Sequence, residues 1–170
     1  MKARELKKIV FLSLLISICI FTQNVKADNS TTKIIDNLDA AFSMEGTWTG
    51  PYNGQGYSNS IHFSSKGNGS NIALWQTGTV AGETYSIYAT WSPHNNRAKD
   101  APYTIIDNEN VLDRVEVNQE LTPSDISFDG KNWKLLGIYV VSGNILTIKI
   151  SNDADEYVIA DAVMIVGPKE

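Results

Sequence analysis

The chain of 170 residues contains a single cysteine, Cys19, and it lies within an apolar run near the N-terminus. Disulfide staples, zinc thiolate sites and cysteine nucleophiles are therefore excluded from everything downstream. Histidine is scarce, with only His62 and His94. No G-x-S-x-G elbow, H-E-x-x-H pair or Walker loop occurs. Positive charge is also short, at 14 Lys and Arg against 19 Asp and Glu. That balance disfavours nucleic acid and anionic membranes as partners. Long hydrophobic stretches are missing too. The run Ile9 to Phe21 holds 13 residues, short of the roughly 20 that a bilayer-spanning helix requires.

What surrounds that run gives it a meaning. Lys2, Arg4, Lys7 and Lys8 precede it, and Val25-Lys26-Ala27 follows it with small residues. This order predicts a secretory signal peptide over residues 1–27. A lipid anchor on Cys19 is disfavoured because Ile18, not a small residue, stands before it. The export segment carries five of the basic residues and one acidic residue, so the remainder has 9 basic and 18 acidic side chains, a net charge of −9. Residues 28–33 are expected to form a flexible leader. Residues 34–167 show no linker, charge block or repeat, and their length suits one domain with one core. The expected location is secreted, extracellular or periplasmic, with no membrane contact after signal cleavage.

The hydrophobic pattern has period two. Ile72 and Leu74 alternate with Ala73, Trp75 and Thr77; Tyr85, Ile87 and Ala89 with Ser86, Tyr88 and Thr90. Trp133, Leu135, Gly137 and Tyr139 alternate with Lys134, Leu136 and Ile138. Leu146, Ile148 and Ile150 form an inward row, and Tyr157, Ile159, Asp161, Val163 and Ile165 another. Strand-length runs also occur near Ile34-Ile35, Phe42 to Thr49, Asn59 to Phe63, Tyr103 to Asp107 and Val111 to Val117. Nine or ten short strands between Gly, Asn, Asp and Pro turns predict an all-β, two-sheet antiparallel β-sandwich.

Several segments in this order carry a resemblance. They include Ile34-Ile35-Asp36-Asn37, Gly46-Thr47-Trp48, Gly82-x-x-Tyr85-x-Ile87-Tyr88-Ala89-x-Trp91 and Asn96-Arg97-x-x-x-Ala101-Pro102-Tyr103. Val117-Asn118-Gln119, Trp133-x-Leu135-Leu136-Gly137 and Tyr157-Val158-Ile159-Ala160-Asp161-Ala162-Val163 complete the set. The chain resembles the golvesin and xanthan-lyase C-terminal domain, a carbohydrate-binding-like sandwich found attached to exported bacterial enzymes. The resemblance implies a galactose-binding-like jelly roll and a glycan-binding role. Two departures stand out: a polar, insertion-like stretch at 120–131 and the lack of an adjoining catalytic domain in this sequence. The module is accordingly expected to act alone or with a separate partner.

Sugars pack their C–H faces on flat rings and their hydroxyls on planar polar groups. Trp48, Trp91 and Trp133 lie in the family-like strands and are read as core. Tyr52, Asn53, Gln55 and Tyr57 share a Gly-rich loop and are candidate ligand residues, though an ordinary Pro-Gly turn would look the same. Trp75 alternates away from Leu74 and is expected on an exposed sheet face. His94, Asn96 and Arg97 form a second polar loop. Arg97 either forks onto a carboxylate or sugar acid, or bonds backbone carbonyls or an aspartate and pins the loop. The pinning role is the favoured one, with Arg97 kept among the candidates. No cofactor is expected, save a structural Ca²⁺. Sugar-binding sandwiches of this kind often hold one between first and last strands, where Asp36 and Asp161 would meet. Asp107-x-Glu109 and Asp153-x-Asp155-Glu156 are weaker acidic sets.

The reading that results is a non-catalytic binding module for polysaccharide or cell-wall glycan. A surface-adhesion domain gripping an exported protein is the alternative, and a small hydrolase or lyase a lesser one.

Overall fold

A computed structural model describes residues 30–168; the expected signal peptide lies outside the described residues. Thirteen strands are present and, among the described residues, no α-helix, only one 3-10 turn at Tyr57–Asn59. The first sheet runs β1 (Ser30–Ile35), β13 (Val163–Pro168), β6 (Glu83–Ala89), β10 (Lys131–Val141), β9 (Ile126–Phe128). The second runs β2 (Phe42–Glu45), β5 (Ile72–Gly78), β11 (Ile145–Ser151), β7 (Ala101–Asp107), β8 (Asn110–Val117). A smaller sheet joins β12 (Val158–Ala160), β4 (Ser60–Ser64) and β3 (Thr49–Asn53). Every strand pair is antiparallel. Ile87, Ala89, Val163 and Ile165 of the first sheet share one core with Ala73, Trp75, Tyr103, Ile105, Ile148 and Ile150 of the second. This is the expected all-β sandwich.

Three expectations need correcting. Ser30 to Lys33 is no leader: it opens β1, and Ser30 pairs with Pro168 at the far end of β13. Trp75 is fully buried, at 0% exposure. In β5 the buried row is Ala73, Trp75 and Thr77, whereas Leu74 is only half-buried and Gln76 is exposed. The Trp75 ring packs 5.3 Å from Phe42 and stacks 6.3 Å from Tyr103. A strand of a sandwich keeps whichever face fills more core volume, and Trp outweighs Leu. Finally, the alternation in β10 does not persist. A bulge between Leu135 and Gly137 shifts its pairing with β6, so Trp133, Leu136 and Val141 are the buried residues. The extra residue of a bulge reverses the face of everything after it.

The stretch 120–131 has structure of its own. It contributes the edge strand β9, and two of its carbonyls receive core indoles: Trp91 Nε1 donates to Leu121 O at 2.9 Å and Trp133 Nε1 to Phe128 O at 3.0 Å. Asp125 holds the base of this flap through Lys134 Nζ at 2.9 Å and the Leu135 N–H at 2.8 Å.

Candidate functional site

The β3–β4 hairpin and the 90–100 loop between β6 and β7 come together beside β12. Their contact begins at Gly56, whose N–H donates to Ser92 Oγ at 3.0 Å. Gly56 sits at φ +75°, and a Cβ there would meet the Ser60 carbonyl and Asp161 Oδ2 at 2.5 and 2.8 Å. Only glycine lets the hairpin approach this closely. The loop is fixed mainly by its main chain. Arg97 forms a parallel bridge with Tyr157. Ala98, fully buried, donates to Tyr157 O at 2.8 Å and accepts from Gln119 N at 2.8 Å. Gln119 in turn bonds both backbone groups of Ile159, at 2.8 and 2.9 Å.

A cleft of about 380 Å³ lies between these elements. One wall is aromatic: Tyr52 and Phe63 meet edge-to-face at 6.3 Å, and Phe63 and Tyr157 at 5.8 Å. Tyr52 is 51% exposed, so its ring stands partly in solvent at the mouth of the cleft. The other wall carries Gln55, His94, Asn96 and Arg97. Asn96 Oδ1 lies 2.7 Å from His94 Nδ1 and accepts from Arg97 Nη1 at 2.9 Å. The guanidinium bonds neither a backbone carbonyl nor an aspartate among the described residues, so the pinning role is not what it does. Burial draws its pKa down.

Five of the eight candidate ligand residues thus converge: Tyr52, Gln55, His94, Asn96 and Arg97. Three do not. Trp75 is in the core. Asn53 is exposed at the end of β3 but does not line the cleft. Tyr57 faces the small satellite core, 5.8 Å from Trp133, with its hydroxyl donating to Asp129 at 2.6 Å. That hydrogen bond, aided by burial, raises its pKa to about 12. The sequence reading missed Ile61, Phe63 and Tyr157 in the cleft. Their burial depends on β4 lying against β12, a pairing 94 residues apart at Val158 and Ser64.

Asp36 and Asp161 do come into electrostatic reach. Asp161, 1% exposed, has its pKa lifted to about 8 by burial, with the nearby Asp36 adding to the rise. Asp36 is raised to about 6, again mainly by burial. Asp161 Oδ1 accepts the Tyr57 N–H at 2.9 Å, and Oδ2 has no partner. The backbone N–H groups of Asn37 and Leu38 and the Ser58 hydroxyl serve Asp36. Ca²⁺ requires six to eight oxygens. Among the described residues no three Asp, Glu, His or Cys side chains converge, so this donor set suits a proton better than the expected ion. The weaker acidic sets are used structurally. Asp107 accepts from Ser142 N and Oγ and from Gly143 N, which holds its pKa low. Asp153 pairs with Arg114 at 3.2 Å, and Asp155 accepts the Lys99 N–H at 2.9 Å.

A two-sheet antiparallel sandwich with an open surface cleft of rings and amides places the chain among β-sandwich domains that carry a concave surface site. The chain belongs to the Golvesin C-terminal domain family, which its residues 33–167 match. It is similar to Paenibacillus xanthan lyase, with 30% identity and a TM-score of 0.65 over 80% of this chain, and it spans 13% of that enzyme's length. The CBM35 from Cellvibrio japonicus Abf62 aligns over 82% of this chain and 95% of its own with a TM-score of 0.56. At 10% identity that likeness is one of fold. No curated protein matches the chain.

Proposed function

We propose that this protein is an exported, non-catalytic module that binds polysaccharide or cell-wall glycan in the cleft between the β3–β4 hairpin and the 90–100 loop. The observation that carries the reading is the exposed Tyr52 ring, backed by Phe63 and Tyr157 and faced by the amides of Gln55 and Asn96. A flat ring beside planar donors and acceptors is what a pyranose requires. The family membership and the xanthan lyase likeness support it. A glycan array followed by calorimetric titration tests it. Tyr52→Ala is expected to weaken binding about tenfold, the worth of one ring contact of ~1.4 kcal/mol, whereas Tyr57→Ala leaves the affinity unchanged. An array without a retained glycan, or equal affinity for wild type and Tyr52→Ala, refutes the reading.

A surface-adhesion role is the second reading. Ile138 and Val140 favour it, being 61% and 64% exposed and two residues apart on one face of β10. Serine at both positions is expected to abolish capture of an exported protein partner under that reading and to leave glycan affinity intact under the first.

A further inference from the structure

The glycan cleft holds a cation with nothing to neutralise it. A guanidinium offers five N–H donors in a planar fork. Arg97 uses Nη1 on Asn96 Oδ1, and its Nε is enclosed with no partner. Among the described residues no Asp or Glu forms an ion pair with it, although acidic side chains outnumber basic ones. The other described arginine behaves differently: exposed Arg114 pairs with Asp153 at 3.2 Å. None of the residues lining the cleft is acidic.

An unmatched charged donor half-removed from water is costly, and local architecture does not require it. The Ala98 main-chain bonds and the Arg97–Tyr157 bridge already fix the loop. The guanidinium is also oriented: Asn96 takes one hydrogen of Nη1 and the enclosed Nε is shut off from a ligand, so the edge left to receive one is Nη1–Nη2, with no protein acceptor on Nη2 among the described residues. A planar carboxylate matches that edge with two parallel hydrogen bonds and one compensating charge. A neutral hydroxyl would leave the charge unmet.

Building on the glycan reading above, we propose that the cleft selects acidic sugars, with Arg97 gripping the carboxylate of a uronic acid or similarly carboxylated residue while the Tyr52 ring receives a sugar face. Lysine would not substitute, since its ammonium lacks the fork.

Calorimetric titration of the purified chain with oligogalacturonate and oligoglucuronate, each compared with its methyl ester, tests this. Methyl esterification removes the charge and keeps the sugar. At least one acid is expected to bind tenfold or more tighter than its ester. Arg97→Gln abolishes that preference, Arg97→Lys restores only part of it, and Arg114→Gln leaves it intact. The acid–ester comparison on the unaltered protein holds even if an Arg97 variant fails to fold. Equal affinity for acid and ester overturns the inference while the glycan reading stands. Preference for a neutral or a sulfated oligosaccharide overturns it likewise. Failure of every sugar, charged or neutral, overturns both.

Discussion

The Trp75 ring fills the space between Phe42 and Tyr103. Trp75→Ala is expected to cost about 3–5 kcal/mol through the cavity it leaves, seen as a lower midpoint in urea. An unfolded carboxyl ionises near pH ~4, whereas folded Asp161 keeps its proton to about pH 8 and Asp36 to about pH 6. Between those limits the folded state binds more protons than the unfolded one, so stability falls as pH rises through the window. In chelator, the Tm is expected to drop by several degrees from pH 5 to pH 8. Asp161→Asn keeps an acceptor for the Tyr57 N–H and should flatten most of that slope. Added Ca²⁺ should leave the Tm unchanged; a rise of several degrees with calcium would show an ion where we place a proton. Composition singled out Tyr52, Gln55, His94, Asn96 and Arg97, which the fold gathers around one cleft, because rings and amides were clustered in two turn-rich segments. It misassigned Trp75 and Tyr57, since a ring's direction depends on which strand face or satellite core claims it.

At the scale of elements, the 90–100 loop is shaped from outside itself. Gln119, two residues past β8, clamps the Ile159 main chain in β12 and gives its own N–H to the Ala98 carbonyl. Gln119→Ala leaves two buried backbone groups unpaired. It is expected to destabilise by roughly 1–3 kcal/mol and to speed amide hydrogen exchange around 97–98 and 157–159 more than in β5 or β11. Protection lost evenly across the sandwich would contradict that local role. Period-two patterning located most of the strands in advance, but it read β3 as loop, passed over β9 and ran β12 and β13, which belong to different sheets, together as one row. It did not reveal the Leu135–Gly137 bulge, which costs one residue of register without changing composition. Nor did it reveal β12 lying on β4, because strand partners far apart in sequence leave no local trace.

For the whole molecule, one shared core across both large sheets implies one cooperative transition. The calorimetric and van't Hoff enthalpies should agree, and two resolved transitions would contradict the shared core. β13 sits between β1 and β6, so truncation after Ala160 is expected to yield no folded protein at all. The sandwich class was readable from the alternating rows, while the third sheet, which builds the cleft wall, was not. The pairing of Ser30 with Pro168 has a practical corollary. The two ends of the described sandwich sit shoulder to shoulder, so the unit is built like a cassette: residues 30–168 can be spliced into a surface loop of an unrelated host without prying that loop apart, or rewired by joining 168 to 30 through a short tether and opening the chain at an exposed turn such as Asn108–Glu109.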